Sequence, residues 1–365
     1  MKRISRKIFN TRQPLFNWAR LRLAVWVFLL VNGNLAFTQE NARPGETPKV
    51  YYSLEEALKE SEKVQALNLS SQQLDEVPAA VWRLTNLQAL DLSENKLTEI
   101  PSSIAQLANL KSLNLRGNQL AAFPAQVGGL PVEINQLTRL ESLDLSGNDF
   151  AEIPPEIFKL VWLKSFNLSE NQLAALPLAI RLLTKLQDLN LSGNGLSALS
   201  PTIGRLLDLR ELNLSRNQLT VLPPAIGQLI GLHMLNLDRN QLTALPPEIG
   251  QLKNLQKLYL ARNDSTKLPA EISQLSNLRF LEIYGNNIST TDGRTLAEIL
   301  PNTQIDKVKP PLEVQEVEPL KLRQMISPAE LAALKTKNTT LYNQNDSHAA
   351  SGIEAHVFEL PQLRS

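Results

Sequence analysis

Cysteine is missing from all 365 residues. Its absence rules out disulfides, thiolate metal ligands, a cysteine nucleophile and a lipid-modified cysteine anchor together. The ends of the fold must therefore be closed by apolar packing. Histidine is nearly missing as well: His233, His348 and His356 are scattered without ligand spacing, so neither a metal nor a cofactor is expected. GxSxG, HExxH and P-loop patterns are absent, and no enzyme is expected. An excess of one charge is lacking too, with 37 basic against 36 acidic residues. Residues 1–38 hold seven Lys/Arg and no Asp/Glu, leaving 30 basic and 36 acidic residues in the rest. That mildly acidic remainder favours neither nucleic acid nor an anionic membrane as partner.

The apolar run Leu23–Val31 is nine residues long, whereas a helix crossing a hydrocarbon core needs about 20. Placed behind seven basic residues, and followed by Ala36-Phe37-Thr38 with small residues at the −3 and −1 positions, it fits a signal peptide cut before Gln39. The expected mature chain is exported (periplasm, cell surface or secreted) and has no membrane span. An uncleaved anchor is the alternative.

What the chain has in abundance is leucine at a fixed spacing. Leu209–Gly231, LRELNLSRNQLTVLPPAIGQLIG, lies over Leu232–Asn254, LHMLNLDRNQLTALPPEIGQLKN, residue for residue at a 23-residue period. LxxLxLxxNxL followed by xxLPxxIGxL resembles the leucine-rich repeat pattern. The resemblance implies an α/β solenoid with a curved parallel sheet on its concave face and 3-10, short helical or extended segments on its convex face. The 23-residue class is similar to the Ras-suppressor-like and plant intracellular Ras-group-related proteins. The lead-in SLEEALKESEKVQALNLSSQQLDEVP, residues 53–78, resembles that of many bacterial leucine-rich repeat proteins.

Four segments are expected: signal peptide 1–38, linker and N-terminal capping helix 39–63, ten repeats with a C-terminal cap 64–300, and a partly disordered tail 301–365. Ser53 and Glu56 make a capping box, with Leu54, Ala57 and Leu58 on one face of the first helix. Repeats start at Val64, Leu87, Leu110, Leu140, Leu163, Leu186, Leu209, Leu232, Leu255 and Leu278. The third interval is 30 residues because Pro124–Leu130 is followed by a second copy, Pro131–Leu137. This surplus is expected on the convex side as a bulging loop. The pattern ends in a capping helix over Thr295–Leu300, a further helix is expected from Pro328 to about Lys335, and residues 338–352 read as mobile.

Asn95, Asn118, Asn148, Asn171, Asn194, Asn217, Asn240, Asn263 and Asn286 fall where the chain turns inward after each strand. Such an amide can donate to and accept from neighbouring backbones, so these asparagines read as a structural ladder. Gly193-Asn-Gly195-Leu-Ser-Ala198 fits GxGxxG/A but lies in the same turn, with no long helix behind it.

Side chains alternate along a strand, so partner-facing positions can be read by column. Repeats one to six show Asn, Asp and Ser there, apart from Arg116 in repeat three. Repeats seven to ten show Arg216, Arg239 and Arg262 at one equivalent position, with Met234, Asp238, Lys257, Tyr259, Phe280 and Tyr284 on nearby columns. Arginine with Tyr, Phe and Met is the mixture enriched in protein interfaces. Trp162 stands where other repeats carry small or polar residues. The expectation is a non-enzymatic exported protein that binds a protein, glycan or peptide on its concave face, with an intracellular scaffold as the alternative. Neither the partner's identity nor an oligomeric state is written in the sequence.

Overall fold

The computed structural model describes residues 49–121, 129–265, 267–288 and 296–307. Twelve parallel strands form one sheet in sequence order. Ten of them, from β2 (Ala66–Asn68) to β11 (Phe280–Glu282), are the predicted repeat strands, each three residues long. The middle residue of each, such as Leu67, Leu90 or Leu212, points into the core and is fully buried. The leucine two positions later points the same way, as Leu69, Leu92 and Leu214 show. Nine 3-10 helices, from Ala79–Arg83 to Ala270–Gln274, form the opposite layer among the described residues. Their isoleucines (Ile104, Ile157, Ile226 and Ile249 among them) close the core from that side without solvent exposure.

Proline N-caps eight of these nine short helices. Its ring fixes φ for the extended entry, and its missing N–H is no loss at a helix start. The ninth helix has Ser200 instead, and the Ser200 Oγ accepts from the Thr202 amide at 3.2 Å. A side-chain cap thus replaces a rigid ring.

The 30-residue interval leaves the sheet undisturbed. Ser112 pairs with Ser142 and Leu113 with Leu143, in the same register as every other step. The second copy of the duplicated segment is not the bulge: Val132–Gln136 forms the regular 3-10 helix, with Ile134 and Leu137 buried. A bulging loop would have to be sought in the first copy, of which residues 122–128 lie outside the described residues.

The ends differ from the reading of the pattern. β1 (Val50–Tyr51), inside the expected linker and cap, adds a strand before the first repeat, with Tyr51 registered against Leu67. Tyr51 is buried, its hydroxyl donates to Glu60 at 3.0 Å, and Lys49 lies 4.1 Å from its ring centroid. Helix α1 (Leu54–Lys59) follows, with the Ser53 Oγ accepting from the Glu56 amide. Ala57 of α1 is buried, but Leu58 turns out to solvent. At the other end, α2 (Leu296–Ile299) covers the last repeat through Leu296. β12 (Gln304–Asp306) then adds a strand inside the expected tail, with Ile305 in the leucine column. The expected signal peptide, Thr295 and the helix expected from Pro328 lie outside the described residues.

Each ladder asparagine joins two repeats. The Asn217 amide group donates to the carbonyls of Leu191 at 2.9 Å and Leu214 at 3.0 Å, and its oxygen accepts from the Leu196 amide at 3.0 Å. The same pattern recurs at Asn171 and Asn240. Asn217→Ala strands several buried groups at once, each costing about 1–3 kcal/mol. Urea unfolding is expected to show a loss of at least about 2 kcal/mol. Asn190→Ala, which frees only partners two residues away, is expected to cost under about 1.5 kcal/mol.

Candidate binding face

On the open face of the sheet, the repeat grammar first silences side chains and then releases them. In repeat five, Asn167 Oδ1 accepts from both the Ser169 amide and its hydroxyl, at 3.1 and 2.9 Å. Repeats six and seven repeat the clamp at Asn190–Ser192 and Asn213–Ser215. The Asn-Leu-Ser triplet is therefore a local turn device: its carboxamide oxygen and serine are satisfied inside the repeat, and the Asn167 amide group donates to Asp144 of the preceding repeat at 3.0 Å. The blandness of this half has a physical cause.

From repeat eight onward the hydroxyl half of the clamp is lost, although the Asp238 amide still donates to Asn236 Oδ1 at 3.0 Å. Asp238 replaces the serine, and its carboxylate accepts from the Ala261 amide of the next repeat at 2.6 Å. In repeats nine and ten the pair becomes Tyr259–Ala261 and Glu282–Tyr284. Aromatic rings thereby enter the face, Tyr284 still hydrogen-bonded through its hydroxyl to Glu282. Tyr259 and Phe280 pack with centroids 5.3 Å apart and planes at 51°, within the range of favourable aromatic pairs. The Arg262 guanidinium lies 5.7 Å from the Tyr284 centroid, a cation–π contact.

Register brings together the residues expected at this face. Met234, Lys257 and Phe280 are direct cross-strand neighbours, as are Tyr259 and Glu282. Arg216, Arg239 and Arg262 are exposed and share a left-handed conformation, with φ of 54°, 52° and 54°. That conformation costs a non-glycine residue about 1–2 kcal/mol.

Two members of the face were missed by the sequence reading. Asp188 and Glu211 stand in the column of Met234, Lys257 and Phe280, paired across adjacent strands. The signal was a switch in that column, from Ala66, Ala89, Ser112, Ser142 and Ser165 to charged or large residues at repeat six. Burial pushes the Asp188 carboxyl up to about 6, with Glu211 adding to the shift and Arg210 opposing it. Glu211 is raised by burial, against Lys257 and His233. Asp238 is raised to about 7, by burial and then by Glu282, against the Ala261 amide, Arg239 and Arg262. Glu282 is raised by burial and by Asp306. The floor of the face is thus a set of half-buried carboxyls flanked by cations. Among the described residues, no group of three or more His, Asp or Glu is arranged to hold a metal ion, and no helix is long and apolar enough to cross a membrane.

Residues 196–303 match the family described as leucine-rich repeat region, and residues 62–120 and 138–196 match the leucine rich repeat family. No curated protein matches the sequence. An internalin, InlF of Listeria monocytogenes, is 24% identical, with 68% of each chain covered and a TM-score of 0.60. The ectodomain of the Arabidopsis thaliana receptor kinase GASSHO1/SCHENGEN3 is 33% identical over 62% of this chain and 30% of its own, with a TM-score of 0.53. A chain from the octameric complex of Latrophilin 3, Unc5D and FLRT2 is 26% identical, covering 70% of this chain and 78% of its own, with a TM-score of 0.59. The fold is that of a leucine-rich repeat solenoid, and proteins built this way commonly bind other proteins.

The raised carboxyls set a pH dependence. Asp188 and Asp238, ordinarily near 3.8, hold a proton in the folded state up to about 6 and about 7. Between those limits the folded chain binds more protons than the unfolded one, so their contribution to stability falls as pH rises. The penalty is complete above the folded values and absent near about pH 4. Asp238→Asn, which keeps an acceptor for the Ala261 amide, is expected to raise the melting temperature at about pH 8 and leave it nearly unchanged at about pH 4.

Proposed function

We propose that the concave face of repeats six to ten docks a protein or peptide ligand, and that the chain is an exported, non-catalytic binding protein. The observation that carries the reading is the replacement, after repeat seven, of the serine that clamps the Asn-x-Ser turn. Across repeats seven to ten the face gains Tyr259, Phe280 and Tyr284 beside three arginines in place of small polar side chains. Partly buried aromatics with arginine are the residues that dominate binding energy in protein interfaces. Two of the similar structures were solved as complexes: the Arabidopsis ectodomain with CASPARIAN STRIP INTEGRITY FACTOR 2, and the octamer with Latrophilin 3 and Unc5D. Support for export is the basic segment, the apolar run and the small residues before Gln39.

Tyr259→Ala and Arg239→Ala are each expected to weaken partner capture at least tenfold, about 1.4 kcal/mol, with the fold intact by circular dichroism. Asn167→Ala and Asn190→Ala are expected to leave capture within a factor of about two, corresponding to under 0.5 kcal/mol. Equal losses from both pairs would place the contact elsewhere. N-terminal sequencing of the mature protein is expected to begin at Gln39 or a near neighbour. An intact Met1 on protein held in the cytoplasm would favour the scaffold reading instead.

A further inference from the structure

The residue before each of the nine ladder asparagines is left-handed (Glu94, Gly117, Gly147, Glu170, Gly193, Arg216, Arg239, Arg262 and Gly285), as is Ser71 before Gln72 at the equivalent position of the first repeat. Glycine adopts this conformation without strain and other residues do not. Each glutamate in the column is followed by a glycine in the next repeat, and its carboxylate lies across that glycine. A Cβ placed on Gly193 would stand 2.5 Å from Glu170 Oε1, and one on Gly117 would stand 2.9 Å from the Glu94 carboxylate. Long charged side chains in this column thus lie down on a glycine.

Repeats seven to nine break the alternation with three successive arginines. The outer two still find an adjoining glycine. Arg216 reaches back past Gly193 towards Glu170 at 3.9 Å, and Arg262 lies over Gly285 against the Tyr284 ring. Arg239 has an arginine on either side. It makes no ion pair within 4.0 Å among the described residues, and it is exposed. Partial loss of solvent, then Arg262, then Arg216, hold its guanidinium below the usual range, opposed by Tyr284 and then Asp238. The fold gains nothing from this: glycine serves the same position in four other repeats. Strain held without a structural return points to function.

We infer that Arg216, Arg239 and Arg262 form a carboxylate-binding rail for an acidic peptide segment of the partner, with Arg239 at its centre. The inference rests on the docking face proposed above and names the chemistry that face selects. A guanidinium offers two parallel N–H donors to a carboxylate. An incoming acid supplies Arg239 with the partner that Glu170 supplies to Arg216 and the Tyr284 ring to Arg262. Tyr284 and the Tyr259–Phe280 pair border the rail on the repeat-ten side, so an acidic segment flanked by an apolar residue fits it best.

The fold itself supplies the test. Because glycine is native to this column, the R216G/R239G/R262G variant removes the charge without disturbing the backbone, and its melting temperature is expected to be no lower than that of the parent. Fluorescence anisotropy of the full chain with fluorescein-labelled decaglutamate should show binding that decalysine does not reproduce. The triple variant should lose that binding at least tenfold, Arg239→Gly alone should account for the largest single share, and Arg239→Lys should retain only part. Equal binding of decaglutamate by the parent and the triple variant, or no preference over decalysine, would overturn the rail. So would displacement by inorganic pyrophosphate at lower concentration than by free decaglutamate, since the site would then select phosphate. If Tyr259→Ala removes partner capture and the triple variant retains it, the docking face stands and the rail falls. If neither affects capture, the docking face falls and decaglutamate binding alone judges the rail.

Discussion

A solenoid turn this tight leaves inward-facing carbonyls and amides that no strand or helix can reach, and one carboxamide per repeat settles them. Asn95 accepts from the amides of Gln72 and Leu74 while donating to the carbonyls of Leu69 and Leu92. Both functions are needed at one point, and no other small side chain carries both in that geometry. The leucines supply the bulk of the burial, at about 1.5–3 kcal/mol each. They cannot settle the turn, however, because a buried polar group without a partner offsets much of what a buried leucine contributes. Since each asparagine bonds across a repeat boundary, the same interaction makes neighbouring repeats fold together.

That arrangement divides each repeat between compulsory and free positions. The inward leucines and the asparagine are compulsory, and the position before each 3-10 helix must hold proline or, once, a capping serine. The free positions lie on the open face of the sheet, and the chain uses them unequally. In repeats five to seven the Asn-x-Ser clamp keeps the asparagine oxygen and the serine occupied within the repeat. Beyond it, half-buried carboxyls, aromatics and arginines share a surface whose charges are incompletely matched. Burial holds Asp238 near neutrality at about 7. The electrostatics of the face are therefore set by the depth of its floor as much as by its composition.

The periodicity made the ten strands, the ladder and the convex helices readable before any coordinates. A 23-residue recurrence leaves one economical way to bury its leucines. The two end strands were not readable, because Val50-Tyr51 and Gln304-Ile305-Asp306 carry none of the leucine spacing. Tyr51 and Ile305 fill leucine positions only because a neighbouring strand presents them there. Leu58 misled for a similar reason, since helical spacing gives a face but not what covers it. On the open face, aromatic and arginine columns announced themselves by composition. Asp188 and Glu211 did not, because an acidic residue on a strand looks solvated until its burial is known.

The register across the 30-residue interval carries a wider consequence. Asn148 donates to the Leu115 carbonyl at 3.0 Å across 33 residues, just as Asn171 does to Leu145 across 26. A duplication on the outer layer has passed without moving one rung of the inner one. Length can therefore drift on one side of such a molecule while the other stays in step. An ancestral gene of this kind could lengthen its backing and refine its grip as separate inheritances.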